Sequence, residues 1–148
     1  MSLRLATPAD AEAIRTIYNH EVLQTVATFD LVPRSLDEQQ QWLTARTGAF
    51  SAVVAVDDTL AGAPEAVVGF GSLSPYKERA AYRTSVEDSV YVRRDRHGEG
   101  IGRLVLAELV RVAETSGFHA VFARINANGE ASIALHRALG FELIGVER

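Results

Sequence analysis

The chain has 148 residues, of which 47% are hydrophobic and 23% charged. These are the proportions of a folded domain rather than a disordered segment, and the length suits a single domain over 1–148. With no cysteine, a net charge of −4 and no basic run, the sequence excludes disulfides, thiol nucleophiles and thiolate metal sites, and it lacks the footprint of a nucleic-acid binder. No apolar run approaches the ~20 residues that span a bilayer, and the opening MSLRLA has no signal-peptide core. The expectation is a cytoplasmic protein with neither a membrane nor a nucleic-acid partner.

Leu3 and Leu5 around Arg4 predict a short first strand. Thr7-Pro8-Ala9-Asp10 then reads as a helix start, with Thr7 capping, Pro8 at the first helical position and Asp10 in the first turn. Ala13, Ile14, Ile17, Tyr18 and Val22 continue it at helical spacing. A second helix is predicted from Ser35, with Glu38 as its capping-box partner, to about Arg46, ended by Gly48. Segments 51–57 and 66–74 are β-rich and read as a loosely connected hairpin. The next strand spans 86–93, with Val86, Asp88, Val90 and Val92 on one face and Glu87, Ser89 and Tyr91 on the other.

A helix over 101–116 carries an apolar stripe of Ile101, Leu104, Val105, Leu109 and Val112, with Gly117 as its cap. Segment 120–125 reads as a strand, 131–139 as a helix closed by Gly140, and 141–146 as a last strand. The order β-α-α-β-β-β-α-β-α-β predicts an α/β (α+β) domain: a mixed sheet with helices on both faces, not a doubly wound dinucleotide fold.

Between the strand over 86–93 and the helix that follows it lies Arg96-His97-Gly98-Glu99-Gly100-Ile101-Gly102. Glycines let a backbone approach a ligand, and the first turn of a helix leaves N–H groups without partners. Together they make a cradle for phosphate or pyrophosphate. Arg103 occupies the third glycine position of a dinucleotide fingerprint, so that reading fails, and no nucleotide-hydrolysing P-loop motif occurs. His20, His97, His119 and His136 show no metal-ligand spacing, so no metal is expected. There is no G-x-S-x-G elbow for serine-hydrolase chemistry.

The segment VYVRRDRHGEGIGRLVLAELV resembles the acetyl-CoA-binding core of the GNAT superfamily of N-acetyltransferases. Gly100 and Gly102 match its two small positions, while His97 stands where the superfamily usually has Gln or Arg. IYNHEVLQTVATFD, AYRTSVEDSVYV and ASIALHRALGFELIG resemble its phosphinothricin (methionine sulfoximine) branch, so the likeness spans nearly the whole chain. The resemblance implies the GNAT fold, whose fourth and fifth strands splay apart into a CoA-binding cleft. Related chains continue past the equivalent of Arg148 with a further strand. The expectation is therefore a last strand apparently missing: either the sequence is cut short, or the sheet closes differently, by pairing its sixth strand directly or with a neighbouring subunit, and a homodimer is the expected assembly.

By the same resemblance Glu87 is the general base for amine acetylation. Its bland alternative is a solvated or ion-paired strand residue. His136 is implied as the group near the departing thiolate, and reads equally as a packing histidine. For acetyl-CoA as co-substrate, the resemblance points to the backbone of Val90, Tyr91 and Val92 beside the pantetheine. It places His97, Gly98, Glu99, Gly100, Ile101, Gly102 and Arg103 around the pyrophosphate, with Asn128 and Ser132 nearby. Phe29, Tyr76, Lys77, Arg79 and Tyr82 fall in segments that line the acceptor pocket of similar enzymes, and Lys77 or Arg79 suits a carboxylate. The function implied is transfer of acetyl to the primary amine of a small amino-acid-like acceptor by direct attack. A protein N-terminus or lysine acetyltransferase and a non-enzymatic acyl-CoA-binding module are the alternatives.

Overall fold

Strands pair in chain order, so the sheet can be read directly along the sequence. The computed structural model describes residues 1–24, 33–60, 62–75, 85–118, 120–123, 135–137 and 139–140. Among them β1 (Ser2–Leu5), β2 (Val53–Val56), β3 (Val67–Pro75), β4 (Ser85–Val92) and β5 (Ala120–Ala123) form one sheet in the order β1-β2-β3-β4-β5. Every neighbouring pair is antiparallel except β4 and β5, which are parallel. A parallel pair needs a crossover, and α3 (Ile101–Thr115) supplies it. The helices α1 (Ala11–Gln24) and α2 (Leu36–Thr44) come between β1 and β2.

The period-2 pattern of the strands sends alternate residues to two cores. On one face Val53, Ala55, Val68, Leu73 and Val86 pack with Ile101, Val105, Leu109 and Ala113 of α3. On the other, Val54, Val67 and Phe70 pack with Ile14, Ile17 and Tyr18 of α1, joined by Trp42 and Leu43 of α2. Helices on both faces of a mixed sheet are the architecture the sequence predicts.

Several local expectations shift by a turn. Pro8–Asp10 form a 3-10 turn ahead of α1, and the Asp10 carboxylate accepts from the Thr7 N–H (2.8 Å) and from both Arg4 guanidinium ends (2.7 and 2.9 Å). Burial opposes the charge on Asp10, but these donors outweigh it and hold its carboxyl below the usual range. The capping box of α2 forms, with the Glu38 N–H donating to Ser35 Oγ (3.1 Å) and the Ser35 N–H to Glu38 Oε1 (3.0 Å). That helix stops at Thr44, not Arg46, and Gly48 (φ +58°) belongs to the separate turn Gly48–Phe50. On α3 the buried stripe is Ile101, Val105, Leu106, Leu109 and Ala113, while Leu104 is 38% exposed. The predicted stripe includes Leu104 and omits Leu106, because the i, i+4 rows from Ile101 and Gly102 face the sheet and Leu104 sits at their edge.

Gly117 (φ +81°) follows the end of α3. The N–H of Phe118 reaches back to the Ala113 carbonyl (3.0 Å) and that of Gly117 to Glu114 (3.2 Å), which satisfies the last carbonyls. Most of the predicted 131–139 helix, the 141–146 strand and the sheet edge beyond them lie outside the described residues, which in this region are the helical turn 135–137 and the turn residues 139–140.

Glycines on β3 let α3 sit directly on the sheet. A Cβ at Gly71 would lie 2.6 Å from Val105 Cγ1 and 2.9 Å from the Ser89 carbonyl oxygen, and one at Gly69 would lie 3.0 Å from Ile101 Cγ2. Overpacking of this kind costs about 1–3 kcal/mol. Gly71→Ala is expected to lower the stability of the protein by that amount, read as a fall in the urea unfolding midpoint.

Candidate active site

Among the described residues the β4–β5 ladder runs from Ser85↔Ala120 to Asp88↔Ala123, and β3 pairs with β4 as far as Val92. Which backbone groups of β4 face away from β3 follows from strand parity. The Arg93 N–H donates to the Val68 carbonyl (2.8 Å), and the carbonyls of Ser89 and Tyr91 lie against Gly71 and Gly69 of β3. Odd-numbered residues thus spend their backbone groups on β3, and Val90 and Val92 direct theirs to the side away from β3. Tyr91, expected to offer backbone bonds there, instead turns its own groups to β3. Its ring stacks on Phe70 (5.0 Å) and meets Tyr18 edge-on (5.6 Å).

Beyond β4 the chain makes the 3-10 turn Arg94–Arg96 and enters the glycine stretch. Gly98 (φ +84°) and Gly100 (φ +82°) occupy the left-handed region, and open space surrounds the place of a Cβ on each. Gly100 is the N-cap of α3, and the first intrahelical bond is Leu104 N–H to the Gly100 carbonyl (3.1 Å). The N–H groups of Ile101, Gly102 and Arg103 precede that bond and have no acceptor within the helix. Gly102 has a different reason to be glycine. A Cβ there would meet Leu135 Cδ2 at 3.2 Å and Val92 Cγ2 at 3.5 Å.

The charged residues of the loop are already engaged. Arg96 binds both oxygens of Glu99 (2.8 Å each) and Asp57 Oδ2 (3.0 Å), tying the loop to the end of β2. The hydrogen bonds from Arg96 hold the Glu99 carboxyl below its ordinary range, so this side chain stays anionic and turned to Arg96. His97 Nε2 lies 3.1 Å from the Val92 carbonyl oxygen, its ring folded back on the strand. Arg103, exposed in the first turn of α3, is a loop-side cation not committed to a carboxylate among the described residues. A cradle with open glycines, uncommitted N–H groups and a neighbouring strand edge fits the pyrophosphate and pantetheine of acetyl-CoA.

Glu87 and Asp88 stand opposite Phe122 and Ala123 of β5, on opposite faces of β4. Glu87, half-buried on the α1/α2 face, is paired across β3 with Ser74. Ser74 Oγ accepts from Arg46 Nη2 (2.7 Å), which also donates to the Leu73 carbonyl, and Arg46 lies over the Trp42 ring (4.4 Å). Arg34 stacks over Tyr18 (3.8 Å) and reaches the other side of the same cluster at Trp42 (4.9 Å). Neither guanidinium has a carboxylate partner among the described residues. Burial, aided by the like charge of Arg34, pushes the Arg46 guanidinium below its ordinary value.

On the α3 face, Asp88 and His136 are buried together at 7% and 5% exposure, with His136 Nε2 2.9 Å from Asp88 Oδ1 and 3.2 Å from Oδ2. Asp88 is legible in the sequence as a charged residue on an apolar strand face, but its partner is not, since 48 residues separate them. Phe29, Tyr76, Lys77, Arg79, Tyr82, Asn128 and Ser132 lie outside the described residues. Among those described there is no cluster of metal-ligating side chains, and no helix is long and apolar enough to cross a membrane.

Residues 14–141 match the sequence profile of the Acetyltransferase (GNAT) family. The chain belongs to that family, and its class is acetyl-CoA-dependent N-acetyltransferase. It is 37% identical to the L-methionine sulfoximine/L-methionine sulfone acetyltransferase of Pseudomonas paraeruginosa, over 97% of this chain and 81% of that one. Two solved structures superpose closely. A GNAT superfamily phosphinothricin acetyltransferase from Sinorhizobium meliloti, in complex with AcCoA, gives a TM-score of 0.87 at 42% identity, covering 97% of this chain and 76% of that one. A ribosomal-protein-alanine N-acetyltransferase from Brucella melitensis gives 0.89 at 40% identity, covering 98% and 86%.

The cradle can be tested at one backbone position. Gly100→Ala forces an L side chain into a left-handed conformation at a cost of about 1–2 kcal/mol, which relaxation of the loop relieves by dispersing the aligned N–H groups. Calorimetric titration is expected to show acetyl-CoA bound about tenfold more weakly, with the fold intact by circular dichroism.

Proposed function

We propose that the protein transfers acetyl from acetyl-CoA to the primary amine of a small acceptor that carries a carboxylate, of the methionine sulfoximine or phosphinothricin type. The observation that carries this reading is the placement of Glu87, half-buried on the α1/α2 face of β4, opposite the buried Asp88 and paired with Ser74, to which Arg46 is bonded. Of two adjacent carboxylates, only Glu87 faces the side on which an acceptor can lie against α1 and α2.

Bound acetyl-CoA supplies an electrophilic thioester carbonyl. Glu87 accepts a proton from the acceptor's ammonium, which leaves a neutral amine able to attack. As the new C–N bond forms and the C–S bond breaks, the thiolate leaves and takes up one proton, and the proton held by Glu87 returns to solvent. With no cysteine in the chain, direct attack replaces a thiol acyl-enzyme. The N–H groups of Ile101, Gly102 and Arg103 would hold the pyrophosphate, and the backbone of Val90 and Val92 the pantetheine. Imidazole at His136 remains the group on the thiolate side of the cleft in this reading.

Arg46 supports the carboxylate-bearing acceptor. Directly opposed cross-strand residues hold their Cβ atoms about 5 Å apart, and Arg46 is hydrogen-bonded to Ser74, the strand partner of Glu87. A guanidinium therefore sits within one amino acid's reach of the base, with Lys77 and Arg79 as further candidates by resemblance. A non-enzymatic acyl-CoA module is not favoured, because the family is one of transferases. Nor is protein acetylation, although the name of the Brucella relative gives the assay a peptide arm. A cytoplasmic location and a homodimer complete the reading, and light scattering of the purified protein checks the second.

Two measurements test it. In a CoA-release assay, methionine sulfoximine, phosphinothricin or a common amino acid is expected to be acetylated. Their decarboxylated amines should lose about tenfold or more in kcat/KM, because a charge-assisted contact is gone. Preference for an alanine-ended peptide over every free amino acid would overturn the acceptor assignment. Separately, Glu87→Gln is expected to bind acetyl-CoA as the wild type does and to turn over at least about 10²-fold more slowly. Stopped kinetics and calorimetry on the same sample read both.

A further inference from the structure

One buried couple takes no part in the proton transfer assigned to Glu87. Asp88 is the single charged residue among Val86, Asp88, Val90 and Val92 on the α3 face of β4, and an apolar face does not retain a carboxylate without a partner. Its partner is His136, whose Nε2 lies within hydrogen-bond distance of both carboxylate oxygens (2.9 and 3.2 Å). The preceding residue, Leu135, packs on Gly102 at the start of α3, where a Cβ would come within 3.2 Å of its Cδ2. Val90 and Val92 close in on the same glycine at 4.0 and 3.5 Å. Among the described residues the turn 135–137 is thereby fastened to Asp88 of β4 and to the first turn of the helix that caps the pyrophosphate cradle.

We infer that the Asp88–His136 pair is a clasp that holds the turn 135–137 as the α3-side wall of the acetyl-CoA cleft, with Asp88 a positioning residue for the co-substrate. This rests on the reading that acetyl-CoA lies along the edge of β4 at Ser89–Val92. The span from Asp88 to Gly102 runs alongside that edge, so releasing one end lets the wall swing away from it. Leu135 then no longer has a fixed seat on Gly102. Glu87, on the other face of the same strand, keeps its own position. The clasp therefore acts on co-substrate affinity before it acts on proton transfer.

Calorimetric titration of acetyl-CoA, without any acceptor, tests the clasp independently of turnover. Asp88→Ala and His136→Ala are each expected to weaken binding by about tenfold, the loss typical of removing a group that orients another. The double variant should be no weaker than either single one within about threefold, because both remove the same contact. Asp88→Asn keeps an amide oxygen in place of Oδ1 and is expected to stay within about threefold of the wild type. A pair that only stabilises the fold would lower the melting temperature and leave these dissociation constants unchanged.

Wild-type affinity in folded His136→Ala or Asp88→Ala overturns the clasp, as do losses that multiply in the double variant or an Asn variant as weak as the Ala one. If Asp88→Ala does not fold, His136→Ala and Asp88→Asn separate the same two outcomes. Failure of the wild type itself to bind acetyl-CoA would instead overturn the acetyltransferase reading on which the clasp rests.

Discussion

The parallel pairing of β4 with β5 across the α3 crossover is the constraint on which the candidate site depends. A parallel pair requires a crossover, so α3 must begin near the far end of β4 and return along the sheet. Its N-terminus then lies beside Val90 and Val92 of β4. Unsatisfied helix N–H groups are ordinarily a liability. In the proposed binding mode the diphosphate of acetyl-CoA satisfies them, while its amide-bearing arm runs along β4.

Seating α3 this closely depends on residues with no side chain. Gly69 and Gly71 let Ile101 and Val105 rest against the backbone of β3, and Gly102 lets Leu135 and two valines of β4 close on the first turn of the helix. Gly98 and Gly100 do something different, since their conformations rather than their surroundings exclude other residues. Three alternating glycines thus divide into two that shape the cradle and one that fixes the cradle to its neighbours.

Period and punctuation make most of this fold legible in advance. Alternation along 86–93 assigns Glu87 and Asp88 to opposite faces, the capping box at Ser35 and Glu38 sets the start of α2, and Gly117 marks the end of α3. Sequence and structure part where local rules compete. Gly48 looks like a helix stop but belongs to the next turn, and Leu104 looks buried because hydrophobicity alone ignores which row of α3 faces the sheet. Loop charges are the least legible. Glu99 reads as a cofactor contact, yet Arg96 engages it together with Asp57, and the network staples the loop to β2. Nothing local in the sequence announces a partner that only the sheet order brings near.

Such long-range pairing also bears on two roles that one histidine can fill. In the sequence, His136 is equally a packing residue and a group near the thiolate. Its bond to Asp88 joins these readings, because a side chain engaged by a buried carboxylate has its orientation fixed and its ring nitrogens made inequivalent. Glu87 has different surroundings: half-buried, on a face shared with Arg46. Neighbouring carboxylates on one strand thus receive contrasting environments from the alternation of the strand alone. In the proposed reaction the proton acceptor is Glu87 on the α1/α2 face, while Asp88 is spent on His136 at the other.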